Sequence, residues 1–157
     1  MSPRLEFALN VVYDAGRRTL AHFQSALEVK LKEDKSPVTA ADLEAESLIR
    51  RALEQHFRED GILGEEEGES GRSDSRWVLD PIDGTKSFIC GVPLYATLLS
   101  YERDGVPILG VCYFPALDEM LYAEIGRGAF LNGRRVKVSN KRTLGDATLS
   151  CASHSSN

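Results

Sequence analysis

Residues 77–88 read Trp-Val-Leu-Asp-Pro-Ile-Asp-Gly-Thr-Lys-Ser-Phe, and this stretch decides where the fold places its chemistry. An apolar run typical of a β-strand ends at the carboxylate of Asp80. Pro81 follows, and proline cannot donate to a regular strand ladder. A second carboxylate comes at Asp83, and a Gly-Thr pair then precedes a short amphipathic segment. The pattern predicts a strand end, a tight bend and the start of a helix.

The two carboxylates of this stretch can converge on one point, because they lie on either side of a bend. Hard oxygen ligands that meet at a point suit Mg²⁺. The first N–H groups of a helix have no partner within it, and they attract anions such as phosphate. The stretch therefore predicts a cation site beside a phosphate site. One alternative stays open here, since Asp80 and Asp83 could instead stabilise a turn by accepting bonds from backbone N–H groups.

The composition is that of an ordinary globular chain: 157 residues, 42% hydrophobic and 27% charged, with a net charge of −5. This length suffices for one domain that buries most of its core. The acidic balance argues against a nucleic-acid partner, because no basic stripe is present. Three cysteines without a Cys-x-x-Cys pair indicate a reducing compartment. No apolar run suggests a signal peptide or a membrane span, so we expect a cytoplasmic protein without a membrane partner.

Two helices are predicted before the central stretch. Apolar residues recur at helical spacing over residues 4–25 and again over residues 43–57. Thr39 and Asp42 resemble a capping box at the start of the second helix, with Asp in place of the usual Glu. A carboxylate is favoured in the first turn of a helix in any case, so Asp42 has a structural explanation that needs no catalytic role.

Between the second helix and the central stretch, residues 61–64 form a short apolar run that ends at three consecutive acids beginning with Glu65. Such acidic runs are usually solvated. Here the run follows a strand, so one carboxylate could point inward. Residues 68–76 are polar and rich in Gly and Ser, which predicts a mobile loop. A further short strand is predicted within residues 28–34.

After the central stretch the pattern predicts an antiparallel meander, with strands over residues 94–102, 106–114, 119–125 and 129–138. Asp104-Gly105 and Asn132-Gly133 have the chemistry of tight hairpin turns. We therefore expect an α+β fold in which two helices pack on a largely antiparallel sheet, with the metal site at the strand ends.

The segment Asp80-Pro81-Ile82-Asp83-Gly84-Thr85, preceded by Gly64-Glu65-Glu66, resembles the inositol monophosphatase family of Mg²⁺-dependent sugar and alcohol phosphatases. The meander over residues 114–133 is also similar to that family. The resemblance covers nearly the whole chain and implies the N-terminal part of the family's layered αβαβα fold. Residues 85–88 and 91–94 look most like the bacterial-type histidinol-phosphatases of the family.

The resemblance implies a metal role for four residues. The carboxylates of Glu65, Asp80 and Asp83 and the backbone carbonyl of Ile82 would be ligands of two or more Mg²⁺ ions. In two-metal sites the cations lie about 3.5–4 Å apart and flank the reacting group.

The resemblance also implies catalytic and phosphate-binding roles. Asp42 and Thr85 would orient and deprotonate the attacking water, with Glu65 assisting. The N–H groups of Gly84 and Thr85, together with Asp83, would hold the substrate phosphate. Attack in line with the leaving group would then expel the alcohol.

The activity that the resemblance implies is hydrolysis of a small phosphate monoester, with histidinol phosphate as the expected substrate. The alternatives are an inositol-1-monophosphatase or another sugar or nucleotide phosphatase of the family, an inactive metal-binding fragment, and an assembly module whose uncovered sheet pairs with another chain. Family members commonly pair as homodimers, so we expect a homodimer.

The chain departs from the family pattern in one respect. Family members carry a second half with a Trp-Asp dipeptide whose Asp binds the second metal, whereas the single Trp here, Trp77, is followed by Val78. We therefore expect residues 1–150 to form the N-terminal metal-binding domain and the C-terminal half of the family fold to be absent. The face that this half covers should be apolar, and residues 151–157 have no assigned role.

Overall fold

The protein is described by a computed structural model that covers residues 1–25, 29–31, 37–71 and 74–148. The α-helices in these ranges are α1 (Pro3–Thr19), α2 (Ala40–His56) and α3 (Thr85–Ile89). The strands are β1 (Val29–Leu31), β2 (Pro37–Thr39), β3 (Gly61–Gly64), β4 (Gly68–Ser70), β5 (Ser75–Asp83), β6 (Ala96–Arg103), β7 (Val106–Phe114), β8 (Glu119–Glu124), β9 (Gly128–Leu131) and β10 (Arg134–Val136).

Eight of these strands form one sheet in the order β10-β9-β8-β7-β6-β5-β3-β4, and β1 pairs with β2 in a separate two-stranded sheet. Neighbours in the large sheet are antiparallel except for β3 and β5, which run parallel. The expected α+β fold with a largely antiparallel sheet is confirmed. Because β3 and β5 run parallel, the residues that follow their carboxyl ends emerge at the same end of the sheet.

Helices α1 and α2 pack on one face of the sheet and enclose the main core, which includes Ile49, Trp77 and Leu99. The other face carries a mostly apolar groove of about 450 Å³, lined by residues that include Val78, Leu98 and Leu121. The sheet is therefore apolar on both sides, as expected for the inner layer of a fold with more than two layers. None of the helices in the described ranges is long and apolar enough to cross a membrane.

Helix α1 ends at Thr19, earlier than the apolar pattern predicted. The Thr19 hydroxyl donates to the carbonyl of Gly16 at 2.7 Å and bonds the Tyr95 hydroxyl at 3.1 Å. Tighter turns follow, and they bring the Phe23 ring to within 5.2 Å of the Tyr95 ring centroid. The apolar periodicity extended past the helix because Phe23 packs in a second, smaller cluster around Phe88 and Tyr95.

The prediction of a loop over residues 68–76 was wrong in part. Strand β4 lies within it and pairs antiparallel with β3, and β5 already begins at Ser75. As an edge strand, β4 has polar and largely exposed residues, so its composition is indistinguishable from that of a loop. Residues 72–73 lie outside the described ranges.

Both predicted hairpin turns are present. Asp104 and Gly105 have φ of 51° and 73°, and Asn132 and Gly133 have φ of 47° and 78°. Two successive residues with positive φ form the turn type that matches the twist of antiparallel strands. The second turn divides the strand expected over residues 129–138 into β9 and β10.

Two predictions fall wholly or partly outside the described ranges. Strand β1 lies inside the predicted segment 28–34, of which residues 28 and 32–34 are not described. The tail 151–157 and the domain end at residue 150 also lie outside, so the boundary stays a prediction.

Candidate metal centre

The acidic residues meet at the edge where β3 and β5 end. Gly64 is paired with Leu79 in the parallel ladder, so the next residues, Glu65 and Asp80, emerge side by side. The carboxyl groups of Glu65 and Asp80 share a hydrogen bond, and the charge of Asp83 also acts on Asp80. The structure thus brings these three predicted ligands into one neighbourhood.

A bulge in β5 brings Asp80 and Asp83 to one face of the sheet. Residues three apart on a regular strand point to opposite faces. Asp80 is paired with Leu98 and Asp83 with Ala96, so β5 contains one residue more than β6 between these pairs. Because of this extra residue, the side chains of Asp80 and Asp83 point to the same face of the sheet. The buried hydroxyl of Thr97 donates to the carbonyl of Pro81 at 2.9 Å and so holds the bulge in place.

The local electrostatics favour a neutral Asp80 in the absence of a cation. Its pKa rises from 3.8 to about 8, first through burial and then through the hydrogen bond and charge of Glu65 and the charge of Asp83. The N–H of Ile82, which donates to Asp80 Oδ1 at 3.1 Å, opposes the rise. Burial also raises the pKa of the nearby Cys112 thiol to about 11, with a contribution from Asp83. Acidic groups are therefore concentrated where β3 and β5 end.

The donor chemistry of this edge fits Mg²⁺. Among the residues that the structure describes, no three His, Cys, Asp or Glu side chains form a ready-made metal cluster. Asp80 shares a hydrogen bond with Glu65 instead, and its raised pKa favours a proton on Asp80 when nothing else neutralises it. A divalent cation can replace that proton, and carboxylate and carbonyl oxygens are the ligands that Mg²⁺ prefers.

The bend after β5 holds the remaining residues of the predicted site. The Thr85 hydroxyl donates to the carbonyl of Ile82 at 3.1 Å, which fixes both groups in the bend. Gly84 has a φ of 88°, and a Cβ there would lie 3.3 Å from the carbonyl oxygen of Leu94. A residue without a side chain is therefore required immediately before α3 begins at Thr85.

Asp42 lies at the start of α2 and closes the predicted capping box. Its Oδ2 accepts bonds from the N–H of Thr39 at 2.8 Å and from the Thr39 hydroxyl at 2.6 Å. The neighbouring Ala41 packs in the same small cluster as Ile82, so this end of α2 lies against the bend. The capping function of Asp42 is thus present in the structure, and its catalytic role stays a prediction.

Two further residues near the centre were missed by the sequence analysis. Glu46 and Arg50 are buried on α2 and form an ion pair with Nε to Oε1 at 2.8 Å. Their positions in the sequence could have indicated burial. They follow Asp42 at intervals of four residues and so share a helix face with the apolar residues. Charged residues on an inward face usually have a partner there.

The sequence matches known proteins along its whole length. The description "Inositol monophosphatase family" applies to residues 1–157. A histidinol-phosphatase of Chlorobaculum parvum is 49% identical over 142 residues, covering 88% of this chain and 54% of the relative. A fructose-1,6-bisphosphatase/inositol-1-monophosphatase of Thermotoga maritima is 37% identical over 152 residues, covering 96% of this chain and 59% of the relative.

Solved structures agree with this match. The extragenic suppressor protein suhB of Bartonella henselae superposes with a TM-score of 0.85 at 35% identity, covering 90% of this chain and 56% of that one. An IMPase of Thermotoga maritima gives a TM-score of 0.83 at 38% identity, with 88% and 55% covered. The chain spans about half the length of the relatives that it matches.

Proposed function

Because the chain belongs to the inositol monophosphatase family, we propose that it acts in a Mg²⁺-dependent phosphate monoester hydrolase. The observation that carries this proposal is the approach of Glu65, Asp80 and Asp83 at the shared edge of β3 and β5. Three neighbouring acidic side chains weaken a fold unless a proton or a cation neutralises them. Their presence there is best explained by metal binding.

The proposed ligands are the carboxylates of Glu65, Asp80 and Asp83 and the backbone carbonyl of Ile82. Bound Mg²⁺ would supply a more acidic water and neutralise charge on the phosphoryl oxygens. The bulge and Thr97 orient Asp80 and Asp83, and the Thr85 hydroxyl orients the Ile82 carbonyl. The chain therefore presents its oxygens on backbone segments held by hydrogen bonds, as a preorganised site requires.

The proposed catalytic groups surround the same bend. Asp42 and Thr85 would orient the attacking water and accept its proton, with Glu65 assisting. The N–H groups of Gly84 and Thr85, at the first turn of α3, would donate to the phosphate, whose site Asp83 borders. Positioning and charge stabilisation of this kind supply most of the catalysis in phosphoryl transfer.

The proposed substrate is histidinol phosphate, because the Chlorobaculum parvum relative and a 44% identical relative from Mycobacterium tuberculosis are histidinol-phosphatases. The second candidate is inositol monophosphate, which the Thermotoga maritima relative favours. We also propose a cytoplasmic location, since the cysteine pattern indicates a reducing compartment, and a homodimeric assembly as in the family.

The test is phosphate release from histidinol phosphate and from inositol-1-phosphate in the presence of Mg²⁺, with the Asp83→Asn variant measured in parallel. Release that disappears in the variant supports the enzyme, and the faster substrate decides between the two. Mg²⁺ binding by calorimetry without phosphate release supports the metal-binding fragment. Absence of both binding and release would contradict the proposal.

A further inference from the structure

A buried carboxylate on α2 holds the backbone of the turn that follows β3. Glu46 is 0% exposed. Its Oε2 accepts a bond from the N–H of Glu66 at 2.9 Å, and its Oε1 accepts one from the N–H of Glu67 at 3.0 Å. One side chain therefore binds two successive peptide groups. This arrangement fixes the orientation of the turn and not only its distance from the helix.

Arg50 holds the same turn from its other side. Its Nε donates to Glu46 Oε1 at 2.8 Å, and its Nη1 donates to the Ser70 hydroxyl at 3.1 Å. Its Nη2 also donates to the carbonyl of Gly68. The arginine thereby joins the buried carboxylate to β4, on the far side of the turn. The ion pair thus binds the turn at Glu66 and Glu67 and also binds the following strand β4.

Gly64 permits this close approach of helix and strand. A Cβ at this position would lie 2.0 Å from Glu46 Oε1 and 2.6 Å from Arg50 Nη2. The ion pair therefore lies directly against the last residue of β3. The next residue along the chain is Glu65, which shares a hydrogen bond with Asp80.

We propose that Glu46 is a positioning residue of the metal centre: by binding the turn 65–67 to α2, it holds Glu65 beside Asp80. The contact with Arg50 Nε at 2.8 Å orients the buried carboxylate toward the turn. Buried ion pairs contribute little to stability compared with apolar residues of the same volume, so a geometric role explains this pair better than a stabilising one. This inference rests on the proposed function, because it assigns Glu46 a role in metal binding.

The test compares Glu46→Gln with Asp60→Asn. Asp60 is a matched control, since its carboxylate is also nearly buried, at the opposite end of β3. It accepts bonds from Arg4 at 2.9 Å and from the Trp77 indole at 3.1 Å. Both variants replace a carboxylate that accepts several hydrogen bonds, three at Glu46 and two at Asp60, by a neutral amide. Only Glu46 contacts the turn that contains Glu65.

Two measurements are made on each variant. Amide hydrogen exchange of Glu66 and Glu67 in the metal-free protein reports on the turn itself, with the amides of β3 as the internal reference. Calorimetric titration with Mg²⁺ reports on the centre. We expect Glu46→Gln to accelerate exchange at the two turn amides relative to β3 and to weaken Mg²⁺ binding by about 10–100-fold. Asp60→Asn should leave both readouts unchanged.

A further variant covers the case in which Glu46→Gln fails to fold because Arg50 is left without its partner. The double variant Glu46→Gln, Arg50→Met contains neither buried charge, and it should show the same faster exchange and weaker binding. If either folded variant shows wild-type exchange and wild-type Mg²⁺ affinity, the role of Glu46 is overturned, while the proposed function is unaffected. If the wild-type protein binds no Mg²⁺, both the proposed function and the role of Glu46 in metal binding are overturned. The exchange data then decide only whether Glu46 holds the turn.

Discussion

The two halves of β5 differ in what they contribute to the protein. In the first half, Trp77 is 0% exposed, its ring lies 5.0 Å from that of Tyr101 between ring centroids, and its indole N–H donates to Asp60. In the second half, Asp80 shares a hydrogen bond with Glu65 and lies near Asp83, and the strand is bulged. One half has its apolar surface buried and its polar group paired. The other half collects like charges.

This difference shows that one strand both stabilises the fold and carries the candidate site. Burial of a large aromatic side chain favours folding. Like charges that approach one another oppose it until a proton or a cation neutralises them. The second half is therefore expected to be unfavourable to stability in the metal-free protein, as functional sites often are. Four predictions test this comparison, and a fifth concerns a residue outside β5.

The largest effect on stability is expected from a substitution in the first half of β5. Trp77→Ala leaves a cavity in the main core and removes the indole donor to Asp60, so the free energy of unfolding should fall by about 3–5 kcal/mol. Urea denaturation followed by circular dichroism measures this change. Tyr13→Ala, at a partly exposed ring, is the control and should cost much less. Equal costs for the two variants would contradict the assignment of Trp77 to the core.

The second effect concerns the acidic half. Asp83→Asn should weaken Mg²⁺ binding by more than about 100-fold, because changes to residues behind the ligands alone already cost about 10–100-fold. Its urea midpoint in the metal-free protein should not fall, since the substitution removes one of several acidic groups whose repulsion opposes folding. Calorimetry and urea denaturation of the same preparation give both quantities. Unfolding of the variant with unaltered Mg²⁺ binding would favour the interpretation of Asp83 as a turn residue.

The third effect is a pH dependence. A carboxyl group whose pKa rises from 3.8 to about 8 on folding binds its proton more tightly in the folded state than in the unfolded state. The stability that this group contributes is therefore complete at low pH and is lost as the pH rises toward about 8. Asp80→Asn has no such proton. The difference in melting temperature between the metal-free variant and wild type should grow in favour of the variant between pH 5 and about pH 8.

Mg²⁺ binding should follow the opposite trend in the wild-type protein. Mg²⁺ would compete with the proton on Asp80, so affinity should rise with pH, by about tenfold per unit at most for one proton, and level off above about pH 8. Calorimetry in buffers of different ionisation enthalpy counts the released proton. Affinity that does not vary from pH 6 to pH 8 would show that the pair holds no proton in this range.

The smallest effect is expected at a residue outside β5. Thr39→Ala removes the side-chain acceptor that caps α2 and the hydroxyl that donates to Asp42. The free energy of unfolding should fall by about 1 kcal/mol, which is typical of a lost cap. Thr39→Ser, which retains the hydroxyl, should restore most of it. A Thr39→Ala variant with full stability would mean that the capping box contributes nothing here.

Local patterns predicted most of the fold. The hairpins at Asp104-Gly105 and Asn132-Gly133 follow from turn chemistry within a few residues, and the start of α2 follows from Thr39 and Asp42 in the same way. The errors occurred where composition is ambiguous. Strand β4 resembles a loop because it is a polar edge strand, and Phe23 extended the helical pattern because it packs elsewhere.

Local patterns also predicted part of the candidate site. Asp80 and Asp83 are close in sequence, so their spacing already indicated a shared site. Glu46 lies far from the turn in sequence, and its hydrogen bonds to the N–H groups of Glu66 and Glu67 depend on how α2 packs on β3. Such a contact has no local sequence signal beyond a charged residue on an apolar face.

The sequence by itself determined the candidate oxygen ligands of β5, the bend at Pro81 and Gly84, and the alternation of strands and turns, because each of these depends on residues that are neighbours in the chain. The tertiary structure alone decided the parallel pairing of β3 with β5, the extra residue in β5 and the attachment of the Glu65 turn to α2. These three features bring together groups that are distant in the chain. Only the burial of the shared core holds such groups at hydrogen-bonding distance.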